Sequence, residues 1–152
     1  MANVRLAQLS DRTGLAKMRA SLWPKASFED HLREIDASFG NVPTATLPSA
    51  TLVSGDHDGT LIGFLEIGLR SHADGCDPIR PTGYVEGWFV DEAFRNQGIG
   101  KQLMRAAEAW ARSHGCLEMA SDVLIDNHGS QRAHETLGFE VVDRCVHFRK
   151  NL

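Results

Sequence analysis

The run Arg95-Asn96-Gln97-Gly98-Ile99-Gly100 sets a permanent cation and two glycines between an apolar segment ending at Val90 and a helical apolar stripe beginning at Ile99. That order has a direct chemical use. The first turn of a helix leaves backbone N–H groups unsatisfied, and the helix dipole adds partial positive charge at the same place. Glycines remove the Cβ atoms that would hold a phosphate away, and Arg95 adds a fixed charge. The run therefore predicts a binding turn for a phosphate-bearing cofactor. The alternative is a plain strand-to-helix turn that uses glycine only for backbone freedom. Two other phosphate turns do not fit. Gly100-Lys101 is not followed by Ser or Thr, as a nucleotide P-loop requires. A dinucleotide turn follows the first strand of a βαβ unit, whereas this one comes late in the chain.

Carboxylates lie on both sides of the turn. Glu86 interrupts Tyr84–Val90, an otherwise apolar stretch whose composition predicts a strand buried on both faces. A carboxylate there must be paired, hydrated or functional, because burying it alone costs on the order of several kcal/mol. A structural salt bridge to an arginine is the alternative. Asp122 ends the short strand predicted from Leu117, where a turn-former or helix cap is the simpler use. Asp143, on the last predicted strand, is a third carboxylate, with solvated surface charge as its simpler reading. Trp23 stands before Pro24 at a helix end. An exposed indole there stacks on a sugar face or a cation, and a buried one belongs to the core. His57, His72, His114, His128 and His147 show no ligand spacing, so no metal site is predicted.

The elements that position these residues follow from periodicity. A first strand is predicted over Val4–Leu9. Ser10-Asp11 offers N-cap chemistry to a helix carrying Leu15, Met18 and Leu22. Ser27 and Asp30 form a capping box for a second helix with Phe28, Leu32, Ile35 and Phe39 on one face, stopped by Gly40. Residues 41–49 read as a loop. Two strands, Thr51-Leu52-Val53 and Leu61–Ile67, flank the turn Asp56-His57-Asp58-Gly59 as a hairpin. Residues 71–81 are a loop in which Gly75-Cys76-Asp77 can line a cleft. After the Tyr84–Val90 strand, Ile99, Leu103, Ala106, Ala107 and Trp110 mark a helix ending near Gly115. A helix over His128–Leu137, stopped by Gly138, and a strand over Phe139–Phe148 complete the prediction.

The chain of 152 residues, 42% hydrophobic and 24% charged, suits one domain over 1–152, of α+β class. No run of about 18 apolar residues exists to span a membrane. Met1-Ala2-Asn3-Val4-Arg5 lacks a secretory pattern. Cys76, Cys116 and Cys145 are odd in number and far apart, which predicts a reducing cytoplasm rather than a disulfide framework. A formal charge of −4 argues against a nucleic-acid partner.

The late glycine turn resembles the acyl-coenzyme A signature of the GNAT superfamily of N-acetyltransferases, Gln/Arg-x-x-Gly-x-Gly/Ala. The resemblance extends to the preceding strand, the following helix with Trp110, Asn127, and Leu137-Gly138-Phe139. It implies the GNAT fold, a mixed and mostly antiparallel central sheet flanked by helices. It implies acetyl-CoA as co-substrate, its pyrophosphate on the backbone amides of Asn96, Gln97, Gly98, Ile99, Gly100 and Lys101 beside Arg95. It further implies that Phe89 and Val90 pair with the pantetheine arm and that Asn127 hydrogen-bonds pantetheine; a helix N-cap is the alternative for Asn127. Many members carry a tyrosine acid where this chain has His134, so His134 is either an acid or a coenzyme contact, or the thiolate leaves without one.

Within the superfamily, Ser21-Leu22-Trp23 with Glu29 and His31, Tyr84–Val90, Ala120-Ser121-Asp122 and Asp126-Asn127 resemble the aminoglycoside 6′-N-acetyltransferases, chromosomal-type branch, commonly homodimers. That similarity implies a polycationic aminoglycoside whose ammonium groups meet Glu86, Asp122 and Asp143, with Trp23 against a sugar. Glu86, alone or through a water, is then the base for the attacking amine and Asp122 shares that work. His31 is expected to support structure. The rivals are a GNAT enzyme for another small amine or a protein N-terminus, and a non-catalytic acyl-CoA-binding module.

Overall fold

The computed structural model describes residues 3–40 and 47–152. Strands β1 (Asn3–Leu6), β2 (Ser49–Gly55), β3 (Leu61–Arg70) and β4 (Thr82–Val90) form an antiparallel run in chain order. Strand β5 (Met119–Ser121) joins parallel to β4. Helices α1 (Arg12–Leu22), α2 (Phe28–Phe39), α3 (Ile99–Ser113) and α4 (His128–Thr136) surround this sheet. The α+β class and the mixed, mostly antiparallel sheet are those expected. Of the loop expected over 41–49, residues 41–46 lie outside the described residues.

Both faces of the sheet are covered, and the period-2 geometry of strands shows how. Leu52, Leu65 and Val85 face Ile99, Leu103, Met104 and Ala107, the apolar stripe of α3. Their immediate neighbours Val53 and Phe64 face the other way, against Leu15, Met18 and Ile35 of α1 and α2. The α2 start is the expected capping box: Ser27 Oγ accepts from the Asp30 N–H, and Asp30 Oδ2 accepts from the Ser27 N–H, each at 3.1 Å. The start of α1 differs from expectation. Asp11 makes no side-chain cap; its buried carboxylate takes two hydrogen bonds from Arg5, at 2.6 and 2.8 Å, and one from the Gln8 N–H. It thereby ties β1 to α1, and the Arg5 bonds hold its carboxyl below the usual carboxylate range. In the β2–β3 turn, Asp56 accepts from the N–H groups of Asp58 and Thr60, and Gly59 takes φ +82°.

Two expectations about strands are corrected. The strand predicted over Phe139–Phe148 does not form: residues 139–152 carry no regular secondary structure. Val141, Val142, Val146 and Phe148 are exposed. A segment rich in apolar residues is equipped to pair, but the partner edge need not belong to the same chain. The tail does touch the 71–81 loop, where Val142 fills the space that a Cβ on Gly75 would need. The second correction concerns Glu86, which is exposed rather than buried. The cause is a register shift. Glu66 pairs with Gly87 and Ile67 with Val85, so Glu86 is an extra residue without a partner, a β-bulge. Val85 and Trp88, three positions apart, consequently both face α3, which strict alternation forbids. Among the described residues, no helix is long and apolar enough to cross a membrane.

Candidate active site

The glycine turn joins the end of β4 to α3. Asn96 (φ +62°) and Gly98 (φ +84°) both adopt the left-handed conformation, the local geometry by which successive backbone N–H groups converge into an anion-binding hollow. Gly98 precedes the fifteen-residue α3, and no heavy atom lies within 4 Å of where its Cβ would be. The space over the helix N-terminus is therefore open to a phosphate. The two glycines do different work. Gly100 is packed on Trp88, whose indole would lie 3.1 Å from an added Cβ, and its carbonyl accepts from Trp88 Nε1 at 3.2 Å. Arg95 is exposed and its Nε donates to the Val90 carbonyl at 2.9 Å. Gln97 and Lys101 are exposed at the same end of α3, where Ile99 is buried.

A gap in the sheet leads away from this turn. The β4–β5 pairing runs from Gly83↔Met119 to Val85↔Ser121 and stops there. Residues 86–90 of β4 therefore have no strand partner on that edge among the described residues, and this stretch contains Phe89 and Val90. An extended amide-bearing chain fits such an edge by strand addition. His134 and Ser121 flank the point where the strands part. His134 is buried and stands edge-on to Trp88, with ring centroids 5.1 Å apart. Its Nδ1 lies 2.7 Å from the Ser130 carbonyl, which can only accept. In the neutral ring that nitrogen carries the hydrogen, and Nε2 accepts from the Ser121 hydroxyl at 2.9 Å. The neutral imidazole then has no free N–H to offer, and the serine hydroxyl is the proton-bearing group beside it. Asn127 is the N-cap of α4, its Oδ1 accepting from the Ser130 N–H at 3.1 Å.

The carboxylates fall on the α1–α2 side of the sheet. The bulge turns Glu86 into an open cleft of about 290 Å³ lined also by Arg19, Trp23, Ala26, His31 and Glu34. Arg70 of β3 grips Glu86 with two hydrogen bonds, at 3.0 and 2.8 Å, and lies 3.4 Å from the centroid of the Tyr84 ring. The Tyr84 hydroxyl in turn donates to Asp122 Oδ2 at 2.8 Å. Burial first, then the bond to Asp122, push the Tyr84 pKa up to about 12. Tyr84 thus stays protonated and keeps donating across the ordinary pH range. Glu86 and Asp122, 36 residues apart in the chain, are brought together through Arg70 and Tyr84. Asp143 is not joined to this network; it is exposed on the irregular tail and accepts from its neighbour's N–H.

Trp23 is half-buried. Its ring packs edge-on to Phe64, and Arg19 lies over it at 5.0 Å. His31 is buried, as expected of a structural residue, with Nε2 3.1 Å from the Trp23 carbonyl. Arg19 also bonds Glu34 and Glu66. Burial pushes the Glu66 carboxyl up against the opposing pull of Arg19. Sequence reasoning did not single out Arg19, Glu34, Glu66 or Arg70. Their partners are distant in the chain or across the β3–β4 connection, and only the Arg19–Trp23 spacing of four on a predicted helix hinted at contact. Trp23 is seated against the strand by a missing side chain. A Cβ on Gly87 would lie 2.5 Å from the indole Cη2. Gly87→Ala is expected to displace the ring and lower stability by about 1–3 kcal/mol, seen in urea unfolding followed by tryptophan fluorescence.

Comparison with known proteins carries the geometry to a family. Residues 14–139 match the family model described as the acetyltransferase (GNAT) family. Aminoglycoside N(6′)-acetyltransferase type 1 of Klebsiella aerogenes is 38% identical over 149 residues, covering 98% of this chain and 96% of its own. The enzyme of the same name from Stenotrophomonas maltophilia is 34% identical over 98% of this chain and 93% of its own. Among solved structures, AAC(6′)-Iy in complex with the bisubstrate analog CoA-S-monomethyl-acetylneamine superposes with a TM-score of 0.86 at 32% identity, covering 100% of this chain and 99% of that one. A match of this breadth, on a sheet that parts beside a phosphate-ready turn, establishes that the chain belongs to the GNAT family of acetyltransferases.

Proposed function

We propose that this chain transfers the acetyl group of acetyl-CoA to the 6′-amine of an aminoglycoside, by direct attack within a ternary complex. The observation that carries the reading is Glu86, turned by the β4 bulge into a cleft that also holds Glu34 and Trp23. The same strand runs on to the coenzyme turn. Relatives over nearly the full chain bear the aminoglycoside N(6′)-acetyltransferase name, and the similar AAC(6′)-Iy was solved with a CoA–neamine bisubstrate analog. An acidic cleft suits a polycation, since carboxylates held in partly desolvated positions attract several ammonium groups together.

The residues take roles accordingly. The open hollow at Asn96–Lys101 holds the pyrophosphate, and the free edge at residues 86–90 takes the pantetheine amides. The acetyl thioester then lies where the strands part. Glu86 accepts a proton from the 6′-ammonium, the neutral nitrogen attacks the thioester carbonyl carbon, the carbon–sulfur bond breaks, and the second nitrogen proton passes to the departing thiolate to leave a neutral amide and coenzyme A thiol. Asp122, held by Tyr84, binds a second ammonium. No dedicated acid is needed for the thiolate: the Ser121 hydroxyl gives its one hydrogen to His134 Nε2, and the neutral ring has no free N–H. Proximity of amine and thioester supplies much of the acceleration, so no covalent intermediate on the protein is needed.

The chain acts as one catalytic domain of a cytoplasmic homodimer. The dimer is supported by the exposed apolar side chains of the C-terminal tail, Val141, Val142, Val146 and Phe148, which suit a partner surface. The cytoplasm is supported by three free cysteines. The deciding measurement is coenzyme A release with kanamycin-type acceptors bearing a 6′-amine or a 6′-hydroxyl. Turnover with the amine alone is the expected result. Release with unrelated amines only, or binding of acetyl-CoA with no release at all, overturns the reading.

A further inference from the structure

Both aromatic-and-acid pairs in and beside the cleft already carry a cation supplied by the chain. Arg19 lies over Trp23 and is bound to Glu34 and Glu66. Arg70 lies over Tyr84 and is bound to Glu86. A guanidinium over an aromatic ring and against a carboxylate is the same chemistry that would hold a substrate ammonium. The two arginines differ in how firmly they are held. The Arg19 side chain is 13% exposed and its partner Glu66 16%, so its removal would strand a buried carboxylate. The Arg70 and Glu86 side chains are 43% and 42% exposed. That pair is bidentate, yet both side chains are open to water, so a second cation can reach Glu86 and exchange with the guanidinium.

We propose that Arg70 is a built-in competitor for the acceptor site, a guanidinium that occupies the ammonium position on Glu86 and must be displaced by the substrate, so that it raises the threshold every amine must pass. The inference rests on the reading of Glu86 as the group that meets the reacting amine. A single ammonium exchanges a bidentate contact on Glu86 for a point-charge contact and gains nothing by it. A polycation that also reaches Glu34 and Asp122 gains contacts that Arg70 never makes, and it displaces the guanidinium. The opposing interaction weakens every amine by the same factor, and the extra contacts keep the polycation within its binding range while a simple monoamine falls outside it. Arg70 is tethered next to Glu86, so its local concentration is high and constant, and a free monoamine must overcome that advantage. On displacement, the guanidinium keeps its place over the Tyr84 ring or swings into solvent, both open to an exposed side chain.

The test uses Arg70→Met, which keeps the length of the stem over Tyr84 and removes the charge, with Arg70→Lys as a second variant. Steady-state kinetics are read by thiol release for a kanamycin-type acceptor and for a simple primary amine. The expected result is a KM for the polycation about three- to tenfold lower in Arg70→Met. The monoamine gains by the same factor, because each ligand displaces the same tethered cation. Added methylguanidinium inhibits Arg70→Met competitively and more strongly than the parent enzyme. Arg70→Lys, retaining a tethered cation with fewer hydrogen bonds, falls between them. An unchanged or raised KM overturns the proposal, as does a fall in kcat with KM unmoved, which would make Arg70 a residue that orients Glu86. Glu86→Gln is run alongside. If it alters neither kcat nor KM, the reading of Glu86 fails; if it lowers kcat while Arg70→Met leaves KM alone, only the Arg70 inference fails.

Discussion

Glu86→Gln is expected to lower kcat by about a hundredfold, roughly 2.7 kcal/mol of barrier, while the KM for acetyl-CoA stays put. Glutamine keeps the size of the side chain and the geometry of the bulge, and it cannot take a proton. Glu86 sits on the exposed side of β4, so the substitution leaves no buried charge and costs little stability. The free amine must then be supplied by solvent. The deficit is therefore largest where the substrate is mostly ammonium, and it shrinks as pH rises toward the amine pKa. A pH profile of kcat for both enzymes, read by thiol release, checks the size and the slope together. A kcat within about threefold of the parent across the range would remove Glu86 from the proton transfer and shift attention to Asp122.

Gly98→Asp should raise the KM for acetyl-CoA at least a hundredfold without unfolding the protein. Two local effects nearly offset one another. The left-handed φ of +84° disfavours a Cβ by about 1–2 kcal/mol, less for Asp than for most residues. An Asp at the N-cap position of α3 returns about 1 kcal/mol through the helix N-terminus. The effect on binding is not offset. A carboxylate about 4 Å from a phosphate repels it by about 4 kcal/mol at an effective dielectric near 20. Calorimetric titration with coenzyme A, paired with a melting curve, separates the two quantities. A variant that binds coenzyme A normally would remove the turn from phosphate recognition.

What was legible in the sequence divides along a physical line. The turn could be read because a helix N-terminus, a glycine and an arginine are neighbours in the chain, and the phosphate chemistry needs nothing from elsewhere. The capping box of α2 and the stripe of α3 are likewise local. Glu86 stood out by type, a lone carboxylate among apolar residues. Its exposure did not, because a bulge is a relation between two strands and becomes visible only when Glu66 and Ile67 are set against β4. Arg70 was hidden for the same reason: its pairing with Glu86 depends on how β3 and β4 align across the 71–81 connection. Arg19 meets Glu66 across 47 positions, a distance no window of periodicity spans. The tail after Gly138 failed in the opposite sense. It is rich in apolar residues, but no strand edge among the described residues receives it.

The bulge in β4 also says something about how such a chain can vary. Residue 86 both aims a carboxylate and keeps the count of residues between Val85 and Trp88 out of step with the pleat. Exchange of its side chain alters chemistry and leaves the sheet standing. Loss of the position altogether would bring Val85 within two places of Trp88, so regular alternation would keep Trp88 against α3 and Phe89 against Phe64 while the bulge and its carboxylate disappeared. At this position the strand can lose a residue without reversing its faces, and a single-codon deletion there would cost the chain its carboxylate rather than its packing.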